Sequence, residues 1–130
     1  MTPSAKGSFD SLNKPKGVKR IYLATLNSIR AIKWLCKNEA AFKQELLLLA
    51  IGLPVSFFLD ITVLERMLLI SSIILILLAE VLNTAIEVIV DRIGLEMHPL
   101  SGLAKDLGSA AVTLCIGLML FMWVSILFFS

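Results

Sequence analysis

The chain has 130 residues, of which 58% are hydrophobic, and its mean hydropathy of +0.89 is too high for a soluble domain of this length. Its formal charge is only +2, but nine of its twelve basic residues lie at or before Lys43. The two cysteines, Cys36 and Cys115, are too far apart in sequence to indicate a disulfide framework or a Cys-x-x-Cys metal site. Composition therefore predicts an all-α integral membrane protein with a basic N-terminal part.

The N-terminal part divides into a tail and a helix. Residues 1–17 are polar and rich in proline and glycine, which predicts a disordered tail, and no apolar core follows to make it a signal peptide. Residues 18–37 carry apolar positions at helical spacing opposite a basic face, which favours an amphipathic helix lying on an anionic membrane surface. The alternative is an ordinary helix packed on a soluble core.

Three further segments, residues 39–59, 63–90 and 106–129, are predicted transmembrane helices. The uncharged part of the first covers only residues 46–59, which is short of the ~20 residues a span needs. Its charged turn therefore has to lie at the interface or face protein, and Pro54 is expected to bend it. Asp60 or Thr62 is the expected N-cap of the second span, and Ser101 can cap the third after a polar loop at 91–105.

The distribution of basic residues predicts the orientation. Of the twelve lysines and arginines, eleven lie at or before Lys43 or within residues 91–105, and Arg66 alone lies at the other side. Basic residues favour the cytoplasmic side, so the N-terminus is expected in the cytoplasm and the C-terminal Ser130 outside.

The second span carries an acidic stripe. In a helix turning about 100° per residue, five polar residues lie within roughly 100° of one another, whereas their neighbours are aliphatic. They are Glu80, Asn83, Thr84, Glu87 and Asp91. A carboxylate at membrane depth costs on the order of 2–3 kcal/mol, so such residues are functional by default. Glu80 could instead only hydrogen-bond across a helix bundle.

The residue types of this region suit phosphoryl transfer. Carboxylates from two helices, Glu39 and Glu87, are typical ligands of Mg²⁺, which also binds substrate phosphates. Glu80 lies deeper and could accept a proton from a lipid hydroxyl, while Lys105 and Arg20 could neutralise phosphate charge. Simpler interpretations remain: Glu39 and Lys43 are spaced as a helical ion pair, and His98 fits loop packing. Neither standard phosphate-binding glycine loop is present.

Polar faces on at least two spans need protein neighbours within a membrane. We therefore expect a homo-oligomer with its site at subunit contacts.

Four stretches of the sequence resemble the prokaryotic diacylglycerol kinases over a region running from about Arg20 to the C-terminus. They read NEAAFKQE at 38–45, AEVLNTAIE at 79–87, VDRIG at 90–94 and SGLAKDLGSAAV at 101–112. The resemblance implies a homotrimer in the bacterial inner membrane, each subunit having one surface helix and three spans. It further implies transfer of the γ-phosphate of MgATP to diacylglycerol, giving phosphatidic acid for phospholipid recycling.

The resemblance also implies roles for individual residues. Glu80 is the expected general base, and Glu39 and Glu87 hold Mg²⁺. The expected ATP-binding residues are Arg20, Glu39, Glu87, Glu96, His98, Lys105 and Asp106. The expected lipid-binding residues are Arg20, Glu45, Arg66, Glu80, Asn83 and Ser109. Two positions depart from the family pattern, since Asn27 stands where an aromatic residue is usual and Met97 replaces a tyrosine.

Three other functions are compatible with the pattern. A sister branch of the same fold phosphorylates undecaprenol, although the 90–94 and 108–111 stretches look more like the diacylglycerol branch. A proton- or cation-conducting subunit could use the acidic stripe without consuming ATP. A purely structural assembly factor would tolerate loss of both Glu80 and Glu87. We expect no nucleic-acid partner.

Overall fold

The computed structural model describes residues 16–130, so the predicted tail lies almost wholly outside the described part of the chain. The described residues form four helices and no strand: α1 (Val18–Asn38), α2 (Ala40–Phe58), α3 (Val63–Ile93) and α4 (Pro99–Phe129). The expectation of an all-α protein is confirmed. The described residues divide into two compact units, residues 16–39 and residues 40–130.

The first unit contains α1, which begins after Gly17. That glycine has a φ of 68°, a conformation that residues with a Cβ rarely adopt. Much of the apolar side of α1 is exposed, including Val18, Ile21 and Tyr22. The helix ends where Glu39 becomes extended and its N–H donates to the Leu35 carbonyl.

In the second unit, α2 continues through Pro54 to Phe58. Proline has no N–H, so the helix lacks one backbone hydrogen bond in its last turns. The side chain of Arg66, on α3, closes this end of α2. Its Nε donates to the Ser56 carbonyl at 2.8 Å, and its Nη2 donates to the Leu59 carbonyl at 3.1 Å.

Helix α3 begins with a capping box. The Thr62 hydroxyl accepts from the Glu65 N–H, and the Glu65 carboxylate accepts from the Thr62 N–H at 3.1 Å. Of the two expected N-caps, Thr62 is therefore the one used. The core below it is centred on Leu69, Ile73 and Ile76, each almost fully buried.

Helices α3 and α4 both extend further than the sequence predicts. The polar loop expected at 91–105 contains only residues 94–98, because α3 continues to Ile93 and α4 already starts at Pro99. The expected cap at Ser101 is wrong, since His98 is the N-cap and its Nδ1 accepts from the Leu100 N–H at 3.1 Å. Proline is favoured directly after the cap because its missing N–H would have no partner there.

Three helices, α2, α3 and α4, are long and apolar enough to cross a membrane. The two longer ones have 31 residues each, or about 46 Å at 1.5 Å per residue. The hydrocarbon core is only about 30 Å thick, so their charged ends extend past it.

Candidate active site

The acidic stripe of α3 faces the interior of the second unit at its deep end. Glu80, Asn83 and Thr84 are buried, whereas Glu87 is half-buried and Asp91 is exposed. Burial therefore decreases towards the end of α3 at Ile93, as the helix leaves its apolar surroundings. The stripe leads from an accessible charged end to a buried carboxyl group.

A second carboxyl group away from full exposure belongs to α2. It is that of Glu45, which is half-buried and interacts electrostatically with Glu80. The Oε2 atom of Glu45 is buried and has no hydrogen-bond partner. Two interacting carboxyl groups at membrane depth do not stabilise the folded protein, so their presence indicates a functional role.

Asn83 links the deep and accessible parts of the stripe. Its Nδ2 donates to Glu87 Oε1 at 3.4 Å, one helical turn along α3. Its Oδ1 is buried without a partner, as is the Oγ1 of Thr84. The interior of the unit therefore contains several polar atoms that a substrate or water could satisfy.

The accessible end of the stripe carries an ion pair between α3 and α4. Lys105 Nζ lies 2.9 Å from Asp91 Oδ1, and both side chains are about half exposed. Asp106 and Ser109 follow on α4 and are both exposed in the single chain. This end thus offers a cation and a carboxylate to a soluble ligand.

Three of the predicted site residues of the second unit lie away from Glu80. Arg66 is 14 residues before it on α3, or roughly 21 Å along the helix axis, and its guanidinium is engaged with α2. Glu96 and His98 are exposed in the short connection before α4, where His98 serves as its N-cap.

Two predicted site residues belong to the first unit. Arg20 is exposed on α1 and lines an open hollow together with Ile21, Ala24, Thr25 and Ser28. Glu39 is half-buried and occupies the C-cap position of α1.

Within residues 16–130, no group of three or more His, Cys, Asp or Glu side chains is arranged to hold a metal ion. A dedicated protein cage for a metal is therefore absent from this part of a single chain. Mg²⁺ seldom needs one, because it binds through one or two carboxylates and completes its ligands with water and substrate phosphates. The half-buried carboxylate of Glu87 is a donor of the right kind for such a site.

Thr84 lies on the predicted stripe without a predicted role, and the sequence pattern predicts no role for Gly108. Gly108 is the one buried residue of α4. A Cβ built on it would lie 2.2 Å from Asn83 Oδ1. The glycine itself was visible in the sequence, but its contact with Asn83 depends on how α3 and α4 pack.

Comparison with known proteins identifies the family of the chain. The family model described as prokaryotic diacylglycerol kinase matches residues 26–127. A diacylglycerol kinase of Haemophilus influenzae is 44% identical over 89% of this chain and 98% of its own length. Those of Escherichia coli K12 and Pseudomonas aeruginosa are 43% and 45% identical, over 88% and 85% of this chain and 94% and 90% of their own. The chain therefore belongs to the prokaryotic diacylglycerol kinase family.

Proposed function

We propose that this protein is a diacylglycerol kinase, which transfers the γ-phosphate of ATP to the free hydroxyl of 1,2-diacylglycerol and forms phosphatidic acid. The observation that carries the proposal is the carboxyl group of Glu80, buried on an apolar membrane-spanning helix in a chain of this family. A lipid hydroxyl has to lose its proton when it is phosphorylated, and Glu80 is a carboxyl group at membrane depth that can accept this proton.

In the proposed reaction, the lipid hydroxyl oxygen attacks the γ-phosphorus, and the bond from that phosphorus to the bridging oxygen of ADP breaks. Glu80 takes the hydroxyl proton as general base. Glu87 is seven residues further along α3, or about 10 Å along the axis, towards the accessible end. This spacing suits a lipid hydroxyl at Glu80 and a nucleotide approaching from the side of Glu87.

The nucleotide is proposed to bind at the accessible end of the stripe. Lys105 supplies a point charge for phosphate oxygens, and Asp106, Arg20, Glu96 and His98 are proposed to contact the same molecule. Glu39 and Glu87 would hold Mg²⁺, which neutralises charge on the phosphates when it is bound. Support for the metal comes from the carboxylate donor set and from the chemistry of phosphoryl transfer.

For the lipid, we propose contacts with Glu45, Asn83 and Ser109 near the reaction centre. Glu45 supports this proposal because it interacts electrostatically with Glu80 and has a buried oxygen without a partner. Arg66 would lie further along the lipid path, towards the opposite end of α3, and Arg20 is proposed to contact both substrates.

The proposed assembly is a homotrimer in the bacterial inner membrane, with the N-terminus in the cytoplasm and the C-terminus outside. The exposed polar groups of α4 support a protein neighbour, since lipid cannot satisfy them. The bias of basic residues towards one side supports the orientation.

The test is phosphate transfer from γ-labelled ATP, with Mg²⁺, to diacylglycerol and undecaprenol side by side in mixed micelles. We expect label in phosphatidic acid. Label only in undecaprenyl phosphate would assign the chain to the sister activity, and no label from a folded oligomer would favour the conducting subunit, to be checked by ion flux in vesicles without ATP.

The general base is tested by Glu80→Gln, which keeps the shape of the side chain but cannot accept the proton. We expect turnover to fall by roughly 10²- to 10⁴-fold, while MgATP binding measured by equilibrium dialysis is retained. Glu87→Gln is the comparison and should weaken both. Near-normal turnover of Glu80→Gln would exclude Glu80 as the base.

A further inference from the structure

Helix α4 makes its closest approach to the stripe of α3 at Gly108. A Cβ at this position would lie 2.2 Å from Oδ1 of Asn83, 3.2 Å from its Cγ and 3.4 Å from Cδ1 of Ile86. A carbon cannot come within 3 Å of a non-bonded oxygen without displacement, so the Asn83 amide has its present position only because residue 108 lacks a side chain.

A Cβ at residue 108 would overlap Asn83 Oδ1, and the mobility of that atom determines the effect of a substitution. Asn83 Oδ1 is the far end of a side chain that can rotate, whereas the remaining neighbours, at 3.2 and 3.4 Å, need only small shifts. A methyl group would therefore turn the Asn83 amide aside before it separated the two helices. The substitution is a local change at one side chain.

The Asn83 amide has a specific partner that this rotation would remove. Its Nδ2 donates to Glu87 Oε1, and this is the hydrogen bond by which the amide holds the half-buried carboxylate. Groups that hold a metal-binding carboxylate in place usually matter to metal affinity nearly as much as the ligands do.

We propose that Gly108 is a positioning residue for nucleotide and metal binding: by leaving space for the Asn83 amide, it keeps that amide hydrogen-bonded to Glu87. The proposal rests on the proposed function, in which Glu87 is a metal ligand. It assigns to α4 a steric role in addition to the charges of Lys105 and Asp106.

The test is a double-mutant cycle between Gly108→Ala and Asn83→Ala. We expect Gly108→Ala to weaken MgATP binding, measured by equilibrium dialysis, by roughly 10- to 100-fold, and to raise the Mg²⁺ concentration needed for half-maximal activity. In the Asn83→Ala background, the same substitution should have no further effect, because the atom it displaces is gone.

Gly117→Ala is the control for adding a methyl group to α4, because nothing in the same chain lies within 4 Å of a Cβ at that position. Gly117 shares the face of α4 that carries Asp106, so the oligomeric state of this variant is measured as well. Its effect on binding should add to that of Asn83→Ala without coupling. Thermal unfolding of all variants separates binding defects from loss of the fold.

Normal MgATP binding by Gly108→Ala would overturn the proposal. So would additivity with Asn83→Ala, or failure of Gly108→Ala to fold in both backgrounds, since each would mean that the glycine serves helix packing alone. If Gly108→Ala folds only together with Asn83→Ala, the steric coupling is supported. Absence of phosphatidic acid formation by the unsubstituted protein would contradict the proposed function, whereas the binding cycle would still report on Gly108.

Discussion

The ion pair between Lys105 and Asp91 is a case in which geometry and energetics lead to different expectations. Its 2.9 Å distance is short, but the side chains are 45% and 52% exposed. Exposed pairs contribute about 0–1 kcal/mol to stability, because water and salt screen them. Lys105 is therefore expected to contribute to ligand affinity rather than to the stability of the fold.

Replacing Lys105 with methionine tests this expectation. We expect Lys105→Met to change the free energy of unfolding by less than about 1 kcal/mol, yet to reduce MgATP affinity strongly, because the point charge for the phosphates is lost. Equilibrium dialysis and thermal unfolding measure the two quantities. Asp91→Asn breaks the same pair but keeps the lysine charge, so an equal loss of affinity in that variant would contradict a direct role for Lys105.

At the scale of one element, the C-terminal end of α2 lacks backbone hydrogen bonds, and the side chain of Arg66 supplies donors there. Pro54 removes a backbone hydrogen bond, and the last carbonyls of any helix lack partners. The Arg66 guanidinium donates to two of these carbonyls and lies 5.3 Å from the centroid of the Phe57 ring. A cation at a helix C-terminus also interacts favourably with the helix dipole.

We expect Arg66→Met to lower the free energy of unfolding by roughly 2–3 kcal/mol, close to the value of one hydrogen bond to a charged group, because Arg66 is only partly buried and water can replace part of the loss. Arg66→Lys should have an intermediate effect, because it keeps the charge but loses the forked geometry. Thermal unfolding in micelles measures the loss. An unchanged stability of Arg66→Met would contradict the capping role, and a raised KM for lipid would confirm the expected place on the lipid path.

The helices show which features a sequence pattern predicts. Long apolar segments indicate the three spans, although the uncharged part of the first is short of a full span, and the polar residues at 91–105 predict a loop. Of the charged residues in that range, Asp91, Arg92 and Lys105 belong to helix ends and only Glu96 lies in the connection, because the helix ends extend past the apolar layer. Helix type follows from local composition, whereas helix ends depend on the surroundings.

The site residues likewise divide into those that the sequence pattern predicts and those that depend on packing. Helical periodicity alone put Glu80, Asn83 and Glu87 on one face of α3, and the structure buries that face. The neighbours from other helices, Glu45 on α2 and Gly108 on α4, depend on how each helix is rotated about its axis. Rotation is determined by side-chain packing, which no single segment of the sequence encodes.

At the scale of the whole molecule, α4 presents polar groups outwards. Asp106, Ser109 and Thr113 are exposed in the single chain and lie on one side of the helix. Lipid gives such groups no partners, so a second copy is expected to cover them. For that arrangement, we propose that Asp106 of one copy serves the site of its neighbour.

Shared sites predict complementation. We expect Asp106→Asn and Glu80→Gln to be inactive separately, but trimers that contain both subunits should regain activity, with about a third of their sites intact, since one subunit contact in three combines the two intact residues. The measurement is phosphatidic acid formation after co-expression of differently tagged subunits and purification through both tags. No recovery from assemblies that contain both subunits would mean that each site lies within one chain.

The hydrogen bonds from Arg66 to the end of α2 also affect how α2 and α3 move against each other. They fasten α2 to α3 at one end, close to the short connection between them. Fluctuations of α2 against α3 should therefore be smallest around Arg66 and should increase along the two helices towards Glu45.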